Sequence, residues 1–323
     1  MGKKLKIGVV MGGMSAEYEI SLQTGKHVIA HLDPDKYEII PINISQENQW
    51  EINGSLQEIP TVLKTIDLIF NATHGTFGED GRLQALFDFF NVPYTGSGVA
   101  ASALAFDKMR SRDLFKFNEI AVPKSHAFDE NAINDRKATR AVRTRFPEPP
   151  WVIKPVRSGS SMGISIAWDE KALSDALNLA LEYDREVIVE EYLRGREFTC
   201  GVIENINGER YTALPVVEII PSQDHEFFDY EAKYDVGTQE IVPAHILEDL
   251  EKKIQDVAIR AHKILGCNTY SRSDMIAKDR IVYLLETNTL PGLTHTSLYP
   301  KAAKAAGFSF PVLLDKIIEE ARP

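Results

Sequence analysis

Residues 6–11, Lys6-Ile7-Gly8-Val9-Val10-Met11, form an apolar run of strand length with no polar alternation. A strand buried on both faces reads this way, and such strands belong to parallel sheets covered by helices. The run stops at Gly12-Gly13-Met14-Ser15, a tight turn, and residues 16–32 then carry Ile20, Val28, Ile29 and Leu32 at helical spacing. Further strands are predicted over 37–42 and 68–72, and a helix over 81–90. Strands alternating with helices predict a small doubly wound α/β domain over residues 1–96.

The middle of the chain reads differently. Residues 100–118 look helical, and Val122-Pro123-Lys124 ends that stretch. Arg136, Lys137, Arg140, Arg143 and Arg145 recur at helical spacing and suit a solvated helix face. Strands are predicted at 151–154, 164–166 and 187–190, with a helix near 171–183 between the last two. Strands are expected to dominate from about residue 192, and an amphipathic helix over 310–321 to close the chain. The class is therefore α/β, α+β in part, with a central unit over 97–191 and a C-terminal one over 192–323.

Composition removes whole classes of partner. A formal net charge of -11 gives no surface that would draw a polyanion, which argues against nucleic acid. Cys200 and Cys267 are the two cysteines, and their apolar neighbours suit reduced core thiols better than a metal pair. With no signal-peptide core and no apolar run of membrane-spanning length, no membrane association and a cytoplasmic location are expected.

The strongest chemical signal lies in two strand-like runs, 272–277 and 281–288, separated by Lys278-Asp279-Arg280. They read as a hairpin. Alternation would put Arg272, Asp274 and Ile276 on one face, and Val282, Leu284, Glu286 and Asn288 on another. A turn centred on Arg280 sets Asp274 opposite Glu286 and Arg272 opposite Asn288. Facing carboxylates call for a cation, and hard oxygen donors without His or Cys favour Mg²⁺. A surface hairpin with a solvated salt bridge would satisfy the same pattern.

Four weaker signals accompany it. Lys154 ends a strand, and the small residues Ser158, Gly159, Ser160 and Ser161 follow, where backbone N–H groups could approach a phosphate. It is no Walker A loop, and a plain hairpin remains the alternative. Glu190, Glu191, Leu193 and Glu197 cluster at a strand end, suited to adenine or ribose and also ordinary for a surface. His74 opens the Gly-rich stretch 74–81 just after a strand, the end at which open α/β sheets bind ligands. Glu17 falls in the first turn of the first helix, where it would either complement the helix dipole, worth about 0.3–1 kcal/mol, or hold an ammonium.

Together these segments resemble the D-alanine–D-alanine ligases of the ATP-grasp superfamily. The resemblance rests on residues 12–21, 74–81, 93–98, 101–108, 154–163, 227–234 and 286–292, and it covers nearly the whole chain. It implies an N-terminal substrate-binding domain followed by a pair of ATP-grasp domains. It also implies that ATP phosphorylates one D-alanine carboxylate and that a second D-alanine attacks the acyl phosphate, for peptidoglycan precursor synthesis. Two Mg²⁺ ions, replaceable by Mn²⁺, would lie on Asp274, Glu286 and Asn288. Lys108, Lys154 and Lys233 would meet phosphates, with Ser160 and Ser161 in the same loop. Glu190, Glu191, Leu193 and Glu197 would surround the nucleoside. Arg272 and the Gly292 N–H would stabilise the tetrahedral oxyanion. Glu17, networked with Ser160 and Tyr234, would hold the first ammonium near His74, and Ser297 and Leu298 the second carboxylate. The segment 223–237 would act as a lid. A homodimer is the state the resemblance implies. Tyr18 and Phe106 depart from the residues common in the family.

Competing readings meet specific obstacles. A nucleotide-binding dehydrogenase would fit the first strand-turn-helix, but the G-x-G-x-x-G spacing is missing. A non-catalytic relic would have lost Asp274, Glu286 or Asn288. D-lactate or D-serine as acceptor stays open, although residues 229–234 resemble the D-alanine enzymes.

Overall fold

A computed structural model of the chain describes residues 3–134, 137–159, 162–206, 208–221 and 238–321. The first unit holds strands β1 (Leu5–Gly12), β2 (Tyr37–Ile44), β3 (Trp50–Ile52), β4 (Ser55–Leu56) and β5 (Leu68–Asn71). Its helices are α1 (Tyr18–His31), α2 (Ile59–Leu63) and α3 (Arg82–Phe89). The sheet order is β4-β3-β2-β1-β5. β1 runs parallel to β2 and β5, whereas β3 and β4 add antiparallel strands at one edge. The unbroken apolar character of β1 is explained by burial on both faces. Ile7 and Val9 pack with Val28 of α1, while Val10 packs with Leu83 and Phe87 of α3.

The expected helix over 100–118 is two helices, α4 (Val99–Phe106) and α5 (Lys108–Phe117). Asp107 breaks them. Its backbone is extended and its side chain accepts from Arg110 N, a helix N-cap in the middle of an apolar pattern.

A second, antiparallel sheet follows, in the order β6-β9-β7-β8. Its elements are β6 (Ser125–Asp129), α6 (Glu130–Asn134), α7 (Lys137–Arg145), β7 (Trp151–Pro155), β8 (Ser165–Ala167), α8 (Glu170–Leu181) and β9 (Glu186–Glu191). Trp151, Ile153, Val187 and Val189 face Val142 of α7 and Leu173 and Leu177 of α8. Alternation along β7 and β9 therefore turns Val152, Lys154 and Glu190 to the opposite face.

The third sheet contains β10 (Arg196–Ile206), β11 (Glu209–Ala213), β12 (Val217–Ile220), β13 (Gln239–Ile241), β14 (Tyr270–Lys278) and β15 (Ile281–Asn288). Its main path is β13-β12-β10-β14-β15, with β11 paired to β10. Among the described residues of this part strands outnumber helices, as expected, but a long helix stands between them. Helix α9 (Glu248–Leu265) is 18 residues long and covers one sheet face through Ile254, Ala258, Ala261 and Leu265. Helices α10 (Leu298–Ala305) and α11 (Phe310–Glu320) close the chain. Leu313, Leu314, Ile317 and Ile318 of α11 join the same apolar cluster as Ile7, Val9 and Phe70 of the first sheet. The end of the chain thus completes the core begun by its first strand. Cys200 and Cys267 are buried and unbridged, and burial pushes both thiols up to about 12. No helix among the described residues is long and apolar enough to cross a membrane.

Candidate active site

The hairpin of β14 and β15 pairs Arg272 with Asn288 and Asp274 with Glu286, as the sequence reading expects. The route to that register differs. Asp279 and Arg280, both with positive φ, make a two-residue turn, and Lys278 pairs with Ile281. Continued without interruption, that turn would set Asp274 against Leu285. The ladder shifts between Asp274 and Met275, where Met275 pairs with Leu284. One extra residue, Leu285, is absorbed as a β-bulge. Val282 and Leu284 consequently enter the α9 core, while Glu286 turns to the other side with Asp274. The expectation that Val282, Leu284, Glu286 and Asn288 share a face is therefore wrong, because alternation is reset at the bulge. Leu284 N donates to Ala121 O at 2.8 Å, which anchors the reset strand from outside the hairpin.

The face carrying Asp274 and Glu286 forms the floor of a cleft of about 630 Å³ whose roof is the second sheet. Lys154, Glu190, Glu191, Leu193, Glu197, Asp274 and Glu286 all line it, so seven residues singled out from scattered motifs converge. Val152, Ile164, Trp168 and Ile276 give it apolar walls. Glu191 is also tied locally, its Oε1 accepting from Lys124 N at 2.8 Å. Lys108 opens α5 beside the cleft. Its Nζ donates to Ser158 O at 2.6 Å and lies 3.6 Å from Glu286 Oε2. Asn288 accepts from Leu290 N through Oδ1 at 2.8 Å.

Lys154 and Glu190 form an ion pair with each other, and Arg112 reaches the second oxygen of the same carboxylate. Arg112 is a residue the sequence reading missed. It is fully buried, and Nη2 also donates to the carbonyl of the bulge residue Leu285 at 3.3 Å. Burial alone would raise the Glu190 pKa, but the adjoining Arg112 and Lys154 charges hold it below the ordinary value. Lys154 is displaced downward, chiefly by burial and further by Arg112, with Glu190 opposing.

Arg272 grips Asp274 with two hydrogen bonds, Nε to Oδ1 at 2.9 Å and Nη2 to Oδ2 at 2.8 Å. Burial works against the guanidinium charge, yet Asp274 and then Glu286 hold its pKa above the ordinary value.

A second group adjoins the first. Glu17 is the N-cap of α1, one residue before its first turn, and its side chain makes no capping bond. The carboxylate is instead enclosed by glycines from two regions. A Cβ on either Gly75 or Gly159 would run into its Oε2. His74 is buried, with Nε2 2.9 Å from Thr24 Oγ1 and Nδ1 3.4 Å from Glu79 Oε1. Burial pushes the imidazole pKa down, but the hydrogen bond and charge of Glu79, with Glu17 behind them, raise it above its ordinary value.

The loop after β15 carries Gly292, whose added Cβ would lie 2.9 Å from Ser297 Oγ. That hydroxyl accepts from Thr294 N at 3.0 Å and lies 2.8 Å from Thr294 Oγ1. Ser297 stands at the N-cap position of α10 without a capping bond from its side chain, and Leu298 is the helix's first, buried residue. Ser160, Ser161, Lys233 and Tyr234, and the expected lid over 223–237, lie outside the described residues.

A cleft between two antiparallel sheets that joins a buried lysine and apolar walls to paired carboxylates on its floor is that of an ATP-dependent ligase of the ATP-grasp type. Comparison with known proteins agrees at full length. The D-ala D-ala ligase N-terminus family profile matches residues 6–63 and 53–97, and the D-ala D-ala ligase C-terminus profile residues 114–319. A D-alanine--D-alanine ligase of Syntrophobacter fumaroxidans is 39% identical over 320 residues, covering 99% of this chain and 98% of that protein. The crystal structure of the VanG D-Ala:D-Ser ligase from Enterococcus faecalis superposes with a TM-score of 0.84 at 35% identity, over 99% and 100% of the two chains. That of the Bacillus anthracis D-alanine--D-alanine ligase complexed with ATP gives 0.78 at 32%, over 98% and 97%. The chain belongs to the D-alanine–D-alanine ligase family.

Proposed function

We propose that the protein joins two D-alanines to D-alanyl-D-alanine through an acyl phosphate, supplying a peptidoglycan precursor. The observation that carries this reading is the convergence of Lys154, Glu190, Asp274 and Glu286 on one cleft, with Glu17 and Arg272 beside it. Apolar walls at Val152, Ile164 and Ile276 suit an adenine, and Glu190, Glu191 and Glu197 supply acceptors. Lys108 and Lys154 would meet phosphate oxygens. Lys154 would exchange Glu190 for a phosphate, and Arg112 would remain to balance that carboxylate.

The donor set fits Mg²⁺, because Asp274, Glu286 and Asn288 offer two carboxylates and an amide oxygen. Bound there, Mg²⁺ or Mn²⁺ would neutralise charge on the transferring phosphoryl group. Release of Asp274 from Arg272 would let the guanidinium turn to the oxyanion, with the Gly292 N–H on the same carbonyl. Glu17, shielded by Gly75 and Gly159, would hold the first ammonium, and His74 would lie against that substrate. The first turn of α10, from Ser297 and Leu298, would receive the second carboxylate. Ser160, Ser161, Lys233 and Tyr234 keep the roles implied by the resemblance. ATP dependence suits a cytoplasmic reaction, and the expected assembly is a homodimer.

Phosphate release with ATP, Mg²⁺ and a panel of D-amino and D-hydroxy acids tests the reading. D-alanyl-D-alanine should form at neutral pH in preference to D-alanyl-D-serine and D-alanyl-D-lactate. A preference for either alternative would overturn the acceptor, and no ligation by any pair would overturn the function.

A further inference from the structure

Helix α1 touches both halves of the candidate site. Glu17 stands at its N-terminus, and Thr24 reaches His74 one face further along. His27, one turn after Thr24, reaches across 266 positions of sequence. Its Nδ1 lies 2.8 Å from the carbonyl oxygen of Leu293, the residue after Gly292. A carbonyl only accepts, so Nδ1 carries the proton and donates. The ring is held in place from several sides. It stacks on Phe310 of α11 with centroids 4.5 Å apart and planes at 26°. His31 stands edge-on to both rings, at 4.4 Å from His27 and 5.2 Å from Phe310, and donates from its own Nδ1 to His27 O. His295, inside the loop, approaches edge-on at 6.2 Å.

The helix itself is pinned to β1. Ser21 Oγ accepts from Gly12 N at 2.7 Å and donates to Ala72 O at 2.9 Å. Gly25 lets Met11 approach so closely that an added Cβ would lie 2.6 Å from its Sδ. Ten residues separate Glu17 from His27, about 15 Å along a helix axis. A fixed rod of that length thus has the first-ammonium carboxylate at one end and a hydrogen bond to the Gly292–Ser297 loop near the other.

We propose that His27 is a positioning residue that holds the acceptor loop in register with the donor subsite through its hydrogen bond to Leu293. The inference rests on the ligase reading, since that reading gives the loop its acceptor role. The ring stack and the hydrogen bond can be separated by substitution. His27→Phe keeps a ring on Phe310 and removes the donor. His27→Asn loses the stack but places an amide N–H close to where Nδ1 stands. Initial rates against D-alanine resolve a donor and an acceptor KM. His27→Phe should raise the acceptor KM about tenfold, with donor and ATP KM within twofold of the parent. His27→Asn should bring the acceptor KM back to within about threefold. Amide hydrogen exchange supplies a readout that needs no turnover: residues 292–297 should exchange faster in His27→Phe than in the parent or in His27→Asn. Parental kinetics and exchange in His27→Phe would overturn the proposal, as would donor and acceptor KM rising together. A parent that makes no D-alanyl-D-alanine would remove the ligase reading, and the exchange pattern would still decide whether His27 orders the loop.

Discussion

Replacing Arg112 with Met leaves the volume nearly filled and removes one of two cations from the Glu190 carboxylate. Arg112 is 0% exposed and Glu190 3%, so water cannot take over its role. Breaking a buried ion pair by deleting one partner costs about 3–5 kcal/mol. Lys154 stays on the carboxylate, and loss of Arg112 also relieves a charge that pushes the Lys154 pKa down, so the low end, about 3 kcal/mol, is expected. At 2–4 °C per kcal/mol for a unit of this size, the melting point should fall roughly 6–12 °C. The loss must depend on pH with a definite sign. The folded-state pKa of Glu190 is depressed, so its contribution is present above the unfolded value, about 4.3, and lost as pH falls through the folded one. In the variant the folded pKa rises, and Glu190 takes up a proton sooner. Parent and variant should therefore differ most near pH 7.5 and less at pH 4.5. Thermal and denaturant unfolding at both pH values measures this. A loss below about 1 kcal/mol at pH 7.5, or an equal or larger loss at pH 4.5, would refute the account of the triad.

Glu286→Gln should abolish nearly all ligation with an unchanged circular dichroism spectrum and only a modestly lowered melting point, because buried Lys108 loses a carboxylate at 3.6 Å but keeps Ser158 O, and Arg272 keeps Asp274; phosphate release within a few-fold of the parent at saturating Mg²⁺ would remove it from the metal site. His74 should titrate above an ordinary imidazole, so the stability its charge confers is present below about pH 6.5 and lost as pH rises through the raised folded value. Glu79→Gln leaves burial as the leading influence and should bring the His74 resonance below the ordinary value in an NMR titration, a result that a titration still above it would contradict.

What could be read from the sequence was local. The burial of β1, the helix after it and the existence of the β14–β15 hairpin follow from runs of a dozen residues, where alternation and turn chemistry act, but the Asp274–Glu286 register needs the bulge. The bulge at Leu285 was hidden, because it depends on Leu284 finding the α9 core and Ala121 finding Leu284 N, both from distant segments. Helix α9 is legible in the sequence: Ile254, Ala258, Ala261 and Leu265 repeat at helical spacing, acidic residues open it and Gly266 ends it in a left-handed conformation. The break at Asp107 carried a weaker signal, an N-cap residue inside an apolar pattern. Arg112 carried none, since an arginine on a polar helix reads as solvated until Glu190 arrives from 78 positions away. The enclosure of Glu17 by Gly75 and Gly159 was equally out of reach, as glycines announce a turn and not what packs against it.

The apolar cluster that α11 shares with β1 imposes an order in time. Ile7, Val9 and Phe70 leave the ribosome early, but the Leu313, Leu314, Ile317 and Ile318 that cover them follow about 240 residues later. At 5–20 residues per second, that face of the first sheet waits roughly 10–50 s for its cover. During that interval the nascent N-terminal unit carries an apolar surface that α1 covers in part and α11 completes, so the window for mispairing or chaperone capture stays open until that helix has been made.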